Sequence, residues 1–214
     1  MKYRINYKKT GRLIYVSHLD MQRTFQRLFR RAGLDLEFSQ GFNPHPLLSY
    51  TPPVPLFAAS DDEYLDVQLT GSHTDSEIFT KLPPLSPEGL VIKSVKKLDE
   101  NDRPLSETFK KADYVITLNV ENISAESLNV FYLSSETINV EKLSKKKQLK
   151  IVDIKPMIYD FRAENTKDGI EISCTLSLAN ESLLNPFVLV KALCENKVLP
   201  ESCKTKRIFK QKAY

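Results

Sequence analysis

Tyr3, Ile5 and Tyr7 alternate with polar and charged positions, and a period of two predicts a strand with one face in a core. Gly11 turns the chain, and the apolar run over residues 13–16 predicts a second short strand. Ser17 is suited to cap a helix N-terminus, with Asp20 in the favoured first turn. Met21, Phe25, Leu28, Phe29 and Ala32 then recur at helical spacing and Gly33 suits the end, so a helix is predicted over residues 18–32. Its other face carries Arg23, Arg27 and Arg30 at i, i+4 and i+7, a row that no acidic side chain on the helix is expected to neutralise.

Leu34, Leu36 and Phe38 alternate as a strand, and residues 39–55, punctuated by Gly41 and five prolines, read as a loop or sheet edge. Leu65, Val67 and Leu69 predict another strand. Thr74 and Glu77 form a capping box for a short helix that Pro83 and Pro84 stop, and a strand follows at residues 90–95. The order is β-α-β-β-α-β. Residues 97–112 are charged and aperiodic, as in a linker, and the second half repeats the order. Ile170, Ile172, Cys174, Leu176 and Leu178 alternate cleanly there, and Asn185-Pro186 opens a final helix as N-cap and first residue. The expected fold class is α+β, with two tandem ferredoxin-like (βαββαβ) halves built on antiparallel sheets, at residues 1–96 and 113–214. The halves share element order and no residue motif.

The 41% apolar and 27% charged residues of this 214-residue chain are those of an ordinary globular protein. Its net charge of +4 names no partner, but the distribution is uneven: residues 1–33 hold nine Lys and Arg against one acidic side chain, and residues 34–101 hold four against eleven. A basic face is expected from the first segment. No stretch has the roughly 18 to 20 apolar residues of a membrane span, and MKYRINYKKTGR lacks a signal-peptide core, so the expected location is cytoplasmic. Cys174, Cys194 and Cys203 fit neither a disulfide framework nor a metal knuckle. Phosphate-loop, dinucleotide-binding, zinc-protease and nucleophile-elbow motifs are absent, and so is the three-cysteine motif of a radical S-adenosylmethionine (SAM) cluster.

Unusual residues concentrate in Ser39-Gln40-Gly41-Phe42-Asn43-Pro44-His45-Pro46. Two prolines and a glycine would hold this loop in one shape, with Gln40 and Asn43 offering amides, Phe42 a stacking face and His45 an imidazole. His18, at the start of the basic helix, is the other candidate contact, while His73 is expected in a solvated turn. Basic groups recur at Lys142, Lys145, Lys146, Lys147 and Lys150, and at Lys204, Lys206, Arg207, Lys210 and Lys212. Arginine and lysine near aromatic rings are what phosphates and stacked bases require, and solvated surfaces look the same in sequence.

Lys9-Thr10-Gly11, Ser17-His18-Leu19-Asp20, Arg30-Arg31-Ala32-Gly33, the loop at residues 39–46 and Glu63-Tyr64-Leu65-Asp66 resemble the bacterial radical-SAM-linked proteins, a family of unknown function. Phe57 departs from the glycine expected after Pro55-Leu56. Members of that family occur beside a radical SAM protein or fused to its C-terminus, and this chain resembles the stand-alone form. The resemblance implies a radical SAM partner, with the iron–sulfur cluster and SAM held there and no cofactor in this chain. The expectation is therefore an accessory module that binds RNA or another phosphate-bearing substrate through His18, Gln40, Phe42, Asn43 and His45, with Arg23, Arg27 and Arg30 supplying charge. The alternatives are a metal-independent endoribonuclease with His18 and His45 as acid and base, and a scaffold without a ligand site.

Overall fold

The alternation of Tyr3, Ile5 and Tyr7 becomes β1 (Lys2–Lys9), and the helical spacing that follows becomes α1 (His18–Arg31). These elements belong to a computed structural model that describes residues 1–143, 148–167 and 169–214. The chain forms two units, Met1–Phe109 and Lys110–Tyr214. Both are mixed α and β with antiparallel strands.

The first unit continues through β2 (Leu48–Tyr50), β3 (Ala58–Gln68), α2 (Asp75–Lys81), β4 (Leu90–Lys97) and the single turn α3 (Leu105–Thr108). Its strands lie in the order β4-β1-β3-β2, each antiparallel to its neighbour. Both helices are capped as their sequences predict: Ser17 Oγ accepts from the Asp20 amide at 3.2 Å, and Thr74 Oγ1 from the Glu77 amide at 3.1 Å. Met21, Phe25, Leu28 and Phe29 of α1 pack on Tyr3, Ile5, Tyr7, Leu65 and Val67, with Ile78 of α2 in the same core.

The polar positions of β1 and β3 are not solvent-facing as alternation suggests. Arg4 donates to both carboxylate oxygens of buried Asp66, from Nε at 2.7 Å and Nη2 at 3.0 Å. Asn6 donates to Asp62 at 2.7 Å, and Tyr64 stacks on Phe109 at 4.0 Å between ring centres. Leu105 and Phe109 are buried beside them. Within the stretch 97–112, residues up to Phe109 thus belong to the first unit, with Leu105 and Phe109 in its interior.

Two predicted strands take other forms. Residues 13–16 fall largely within a 3-10 turn (Gly11–Tyr15), in which the Leu13 and Val16 amides donate to the Thr10 and Leu13 carbonyls at 3.1 and 2.9 Å. A four-residue apolar run fits either conformation. Residues 34–38 make only isolated bridges, Leu36 to Leu69 and Phe38 to Pro46, and β2 pairs with β3 in their place.

Gly89 ties β4 to the end of β1. It sits at φ +89, where an added Cβ would lie 2.3 Å from the Thr10 carbonyl oxygen. Gly89→Ala is expected to lower stability by about 2 kcal/mol, from backbone strain and displacement of that carbonyl, read as a shifted urea midpoint.

The second unit comprises β5 (Lys111–Asn119), α4 (Ala125–Ser134), β6 (Asn139–Leu143), β7 (Leu149–Asp153), β8 (Ile158–Thr166), β9 (Gly169–Ser177), α5 (Pro186–Glu195) and β10 (Lys204–Ala213). Four strands lie in the order β10-β5-β9-β8, while β6 and β7 pair separately. Lys145, Lys146 and Lys147 of the predicted basic run, and Asp168 just before the alternation that starts at Ile170, lie outside the described residues. Lys210 of the C-terminal basic group is buried and adds nothing to a charged surface. Among the described residues, no helix is long and apolar enough to cross a membrane.

Candidate functional site

Because α1 commits its apolar face to the core, Arg23, Arg27 and Arg30 point outward and are exposed. The row is partly neutralised, against expectation. Asp20 Oδ1 accepts from Arg23 Nη1 at 3.0 Å, and Asp20 Oδ2 accepts from the Ser17 hydroxyl at 2.7 Å. The Ser17 bond, then Arg23 and Arg27, hold the Asp20 carboxyl below its ordinary range. One carboxylate against three guanidinium groups leaves the face basic.

The loop beside it is closed by its own ends. Ser39 N–H donates to the His45 carbonyl at 2.9 Å, His45 N–H donates to Ser39 Oγ at 3.1 Å, and the same Oγ lies 2.8 Å from His45 Nδ1. Gly41, at φ +133, turns the tip. Gln40, Phe42 and Asn43 project from this clasp, and the Phe42 side chain is entirely exposed. An aromatic ring held in water by a clasped loop adds nothing to a core, and such loops position side chains for binding.

A cleft of about 280 Å³ separates α1 from the base of the loop, with Gln26 and Arg30 on one wall and Phe38 and Pro46 on the other. A second, of about 220 Å³, lies across Pro46 and is lined by His45, Ser49, Lys2, Asp66 and Gln68. Arg30 and the loop base are thus brought together. His18 stands apart from them: Gln22 Nε2 lies 3.0 Å from its Nε2, and its ring meets Tyr50 edge-on at 5.0 Å. Burial lowers the His18 pKa, with the Glu63 carboxylate opposing and Lys9 reinforcing, so the ring is neutral near pH 7. Among the described residues, no hydrogen bond or ring contact joins His18 to His45.

Around His18 lies a group that sequence reasoning passed over. Lys9 is 5% exposed and Glu63 2% exposed, and Lys9 Nζ donates to the Val16 carbonyl at 3.0 Å. Burial lowers the Lys9 pKa against the pull of Glu63, and burial, then Glu63 and Tyr50, push the Tyr7 phenol well up. Among the described residues, the buried Tyr50 hydroxyl has no hydrogen-bond partner. Lys9 continues the inward phase of Tyr3, Ile5 and Tyr7, and Glu63 that of Leu65 and Val67, so the signal in the sequence was two charged side chains at core-facing positions of alternating strands, inside segments that carry the family resemblance. His73 is also corrected: Nδ1 lies 3.1 Å from Glu77 Oε1, and its main chain exchanges hydrogen bonds with the Tyr3 hydroxyl at 2.8 and 3.0 Å.

A family model described as "Uncharacterized protein conserved in bacteria (DUF2344)" matches residues 2–186. No curated protein matches the chain. Among solved structures, one described as a candidate glycine cleavage system transcriptional repressor aligns over 96% of this chain and 97% of its own, at 14% identity and a TM-score of 0.25. That score is too low to transfer anything to this chain.

Proposed function

The protein belongs to this DUF2344 family of bacteria, and from that premise we propose that it is a non-catalytic accessory module that binds single-stranded RNA for a separately encoded radical SAM enzyme. In this reading each unit is a ferredoxin-like half, an assignment supported by the strand orders β4-β1-β3-β2 and β10-β5-β9-β8, which place corresponding strands alike. The partnership follows from the resemblance in Lys9-Thr10-Gly11, Ser17-His18-Leu19-Asp20 and the loop motif. The iron–sulfur cluster and SAM belong to that partner.

The observation that carries RNA binding is the fully exposed Phe42 ring on a clasped loop whose base forms a cleft with Arg30. Single-stranded RNA needs a face on which an unpaired base stacks and cations for the phosphates that follow, and a rigid aromatic beside arginines meets both needs. Gln40 and Asn43 flank the ring with amide donors and acceptors for base edges. His45 serves as the clasp. The endoribonuclease alternative draws no support from the placement of His18 and His45, each with partners of its own.

Phe42→Ala removes the stacking face and no core contact. It is expected to weaken binding of a fluorescein-labelled uridine 12-mer about tenfold, measured by anisotropy, with an unchanged unfolding midpoint. Equal affinity in the variant would remove the loop from the binding surface.

A further inference from the structure

Exposed apolar side chains gather at the other end of α1. Tyr15 ends the 3-10 turn and is 65% exposed, and its ring meets that of Phe57, 57% exposed, edge-to-face with centres 6.0 Å apart. Leu19, on the first turn of α1, is exposed as well. The backbone of Phe57 sits at φ +69, a left-handed conformation that only glycine adopts without steric cost. Its amide donates to the Ile14 carbonyl at 2.8 Å, so the strained residue is bonded to the turn that presents Tyr15. The strain is not offset by burial of the ring, and strain maintained around an exposed side chain points to function.

The charge around the pair selects its occupant. Arg12 is exposed three residues before Tyr15 in the same 3-10 turn, where side chains at i and i+3 lie over one another. Leu19 and Arg23 are neighbours at i and i+4 on α1, and the row continues through Arg27 and Arg30 to the cleft beside the loop. Cations thus run from one exposed aromatic site to the other along a helix of about 21 Å, a span suited to a short single strand.

We propose that Tyr15 and Phe57 form a second base-stacking platform, so that one RNA strand lies along α1 with its phosphates on the arginine row and bases stacked at both ends. This inference rests on the RNA reading above and extends it from one contact to a path. Duplex RNA keeps its bases stacked internally and offers none to either platform, so single strands are preferred over duplex.

Phe57→Gly is the decisive variant, because it removes the ring and relieves the backbone at once. With the uridine 12-mer as probe, it is expected to weaken binding about tenfold while leaving the unfolding midpoint unchanged or higher. Combined with Phe42→Ala the loss should approach about a hundredfold, as for two independent contacts. Tyr15→Ala reads the same platform without touching the strained residue and is expected to act in the same direction. Wild-type affinity in both Phe57→Gly and Tyr15→Ala, with Phe42→Ala weakened, would overturn the second platform and leave the RNA reading standing; that is also the outcome if this face docks a protein. Failure of the unaltered protein to bind the 12-mer would overturn both.

Discussion

Asp66→Ala is expected to cost the first unit about 3–5 kcal/mol, the cost typical of removing one partner from a buried ion pair. The carboxylate takes both arms of the Arg4 guanidinium, at 2.7 and 3.0 Å, with Lys2 Nζ at 3.4 Å, and the Arg4 side chain is only 12% exposed. Without Asp66, Arg4 retains the Arg103 carbonyl at 2.8 Å, the Thr108 hydroxyl at 3.4 Å and the Phe109 face, none of which carries opposite charge. Asp66→Asn keeps the shape and some of the hydrogen bonding, so its cost should be smaller. Urea unfolding measures the loss, and amide exchange should place it in β1 and β3. A loss below about 1 kcal/mol would mean that water reaches Arg4. Asp66 also lines the cleft under His45, so the same change should loosen the loop base.

Replacing Arg23, Arg27 and Arg30 together with alanine is expected to have the largest effect on function. All three are exposed on one helix face, and among the described residues the only acidic group bonded to them is Asp20, on Arg23. Each phosphate neutralised on a single strand adds about 0.7 to the slope of log affinity against log salt, so losing three cations should flatten that slope by about 2. At about 0.1 M salt, RNA affinity should fall on the order of a hundredfold. The fold should be indifferent, because Met21, Phe25, Leu28 and Phe29 hold the helix.

Legibility in the sequence divided along physical lines. Where a local rule fixes structure, it was readable: Ser17 and Thr74 cap their helices, Asn185 caps α5, and the alternation from Ile170 onward is β9. The loop at residues 39–46 also stood out, because Gly41, Pro44 and Pro46 announce a constrained segment. What local rules miss is tertiary. A period of two cannot reveal that both faces of β1 and β3 are covered, so Arg4, Asp62 and Asp66 read as solvent-facing until structure closes over them, while Lys9 and Glu63, in the inward phase, break the apolar pattern without showing what they meet by the helix. Leu34, Leu36 and Phe38 alternate as well as any strand, yet the partner edge on β3 is taken by β2. Phe57 marks a third limit. Sequence resemblance set glycine there, and φ +69 supplies the reason, but only the structure places its exposed ring against Tyr15.

The central claim is that the α1 face binds single-stranded RNA through its arginines. Affinity for the uridine 12-mer, measured across a salt series for the unaltered protein and the triple arginine variant, tests it most directly. The account predicts binding that weakens steeply as salt rises and a variant whose binding is weak and far less salt-dependent. Absence of binding at low salt, or a variant with the affinity and slope of the unaltered protein, would contradict it.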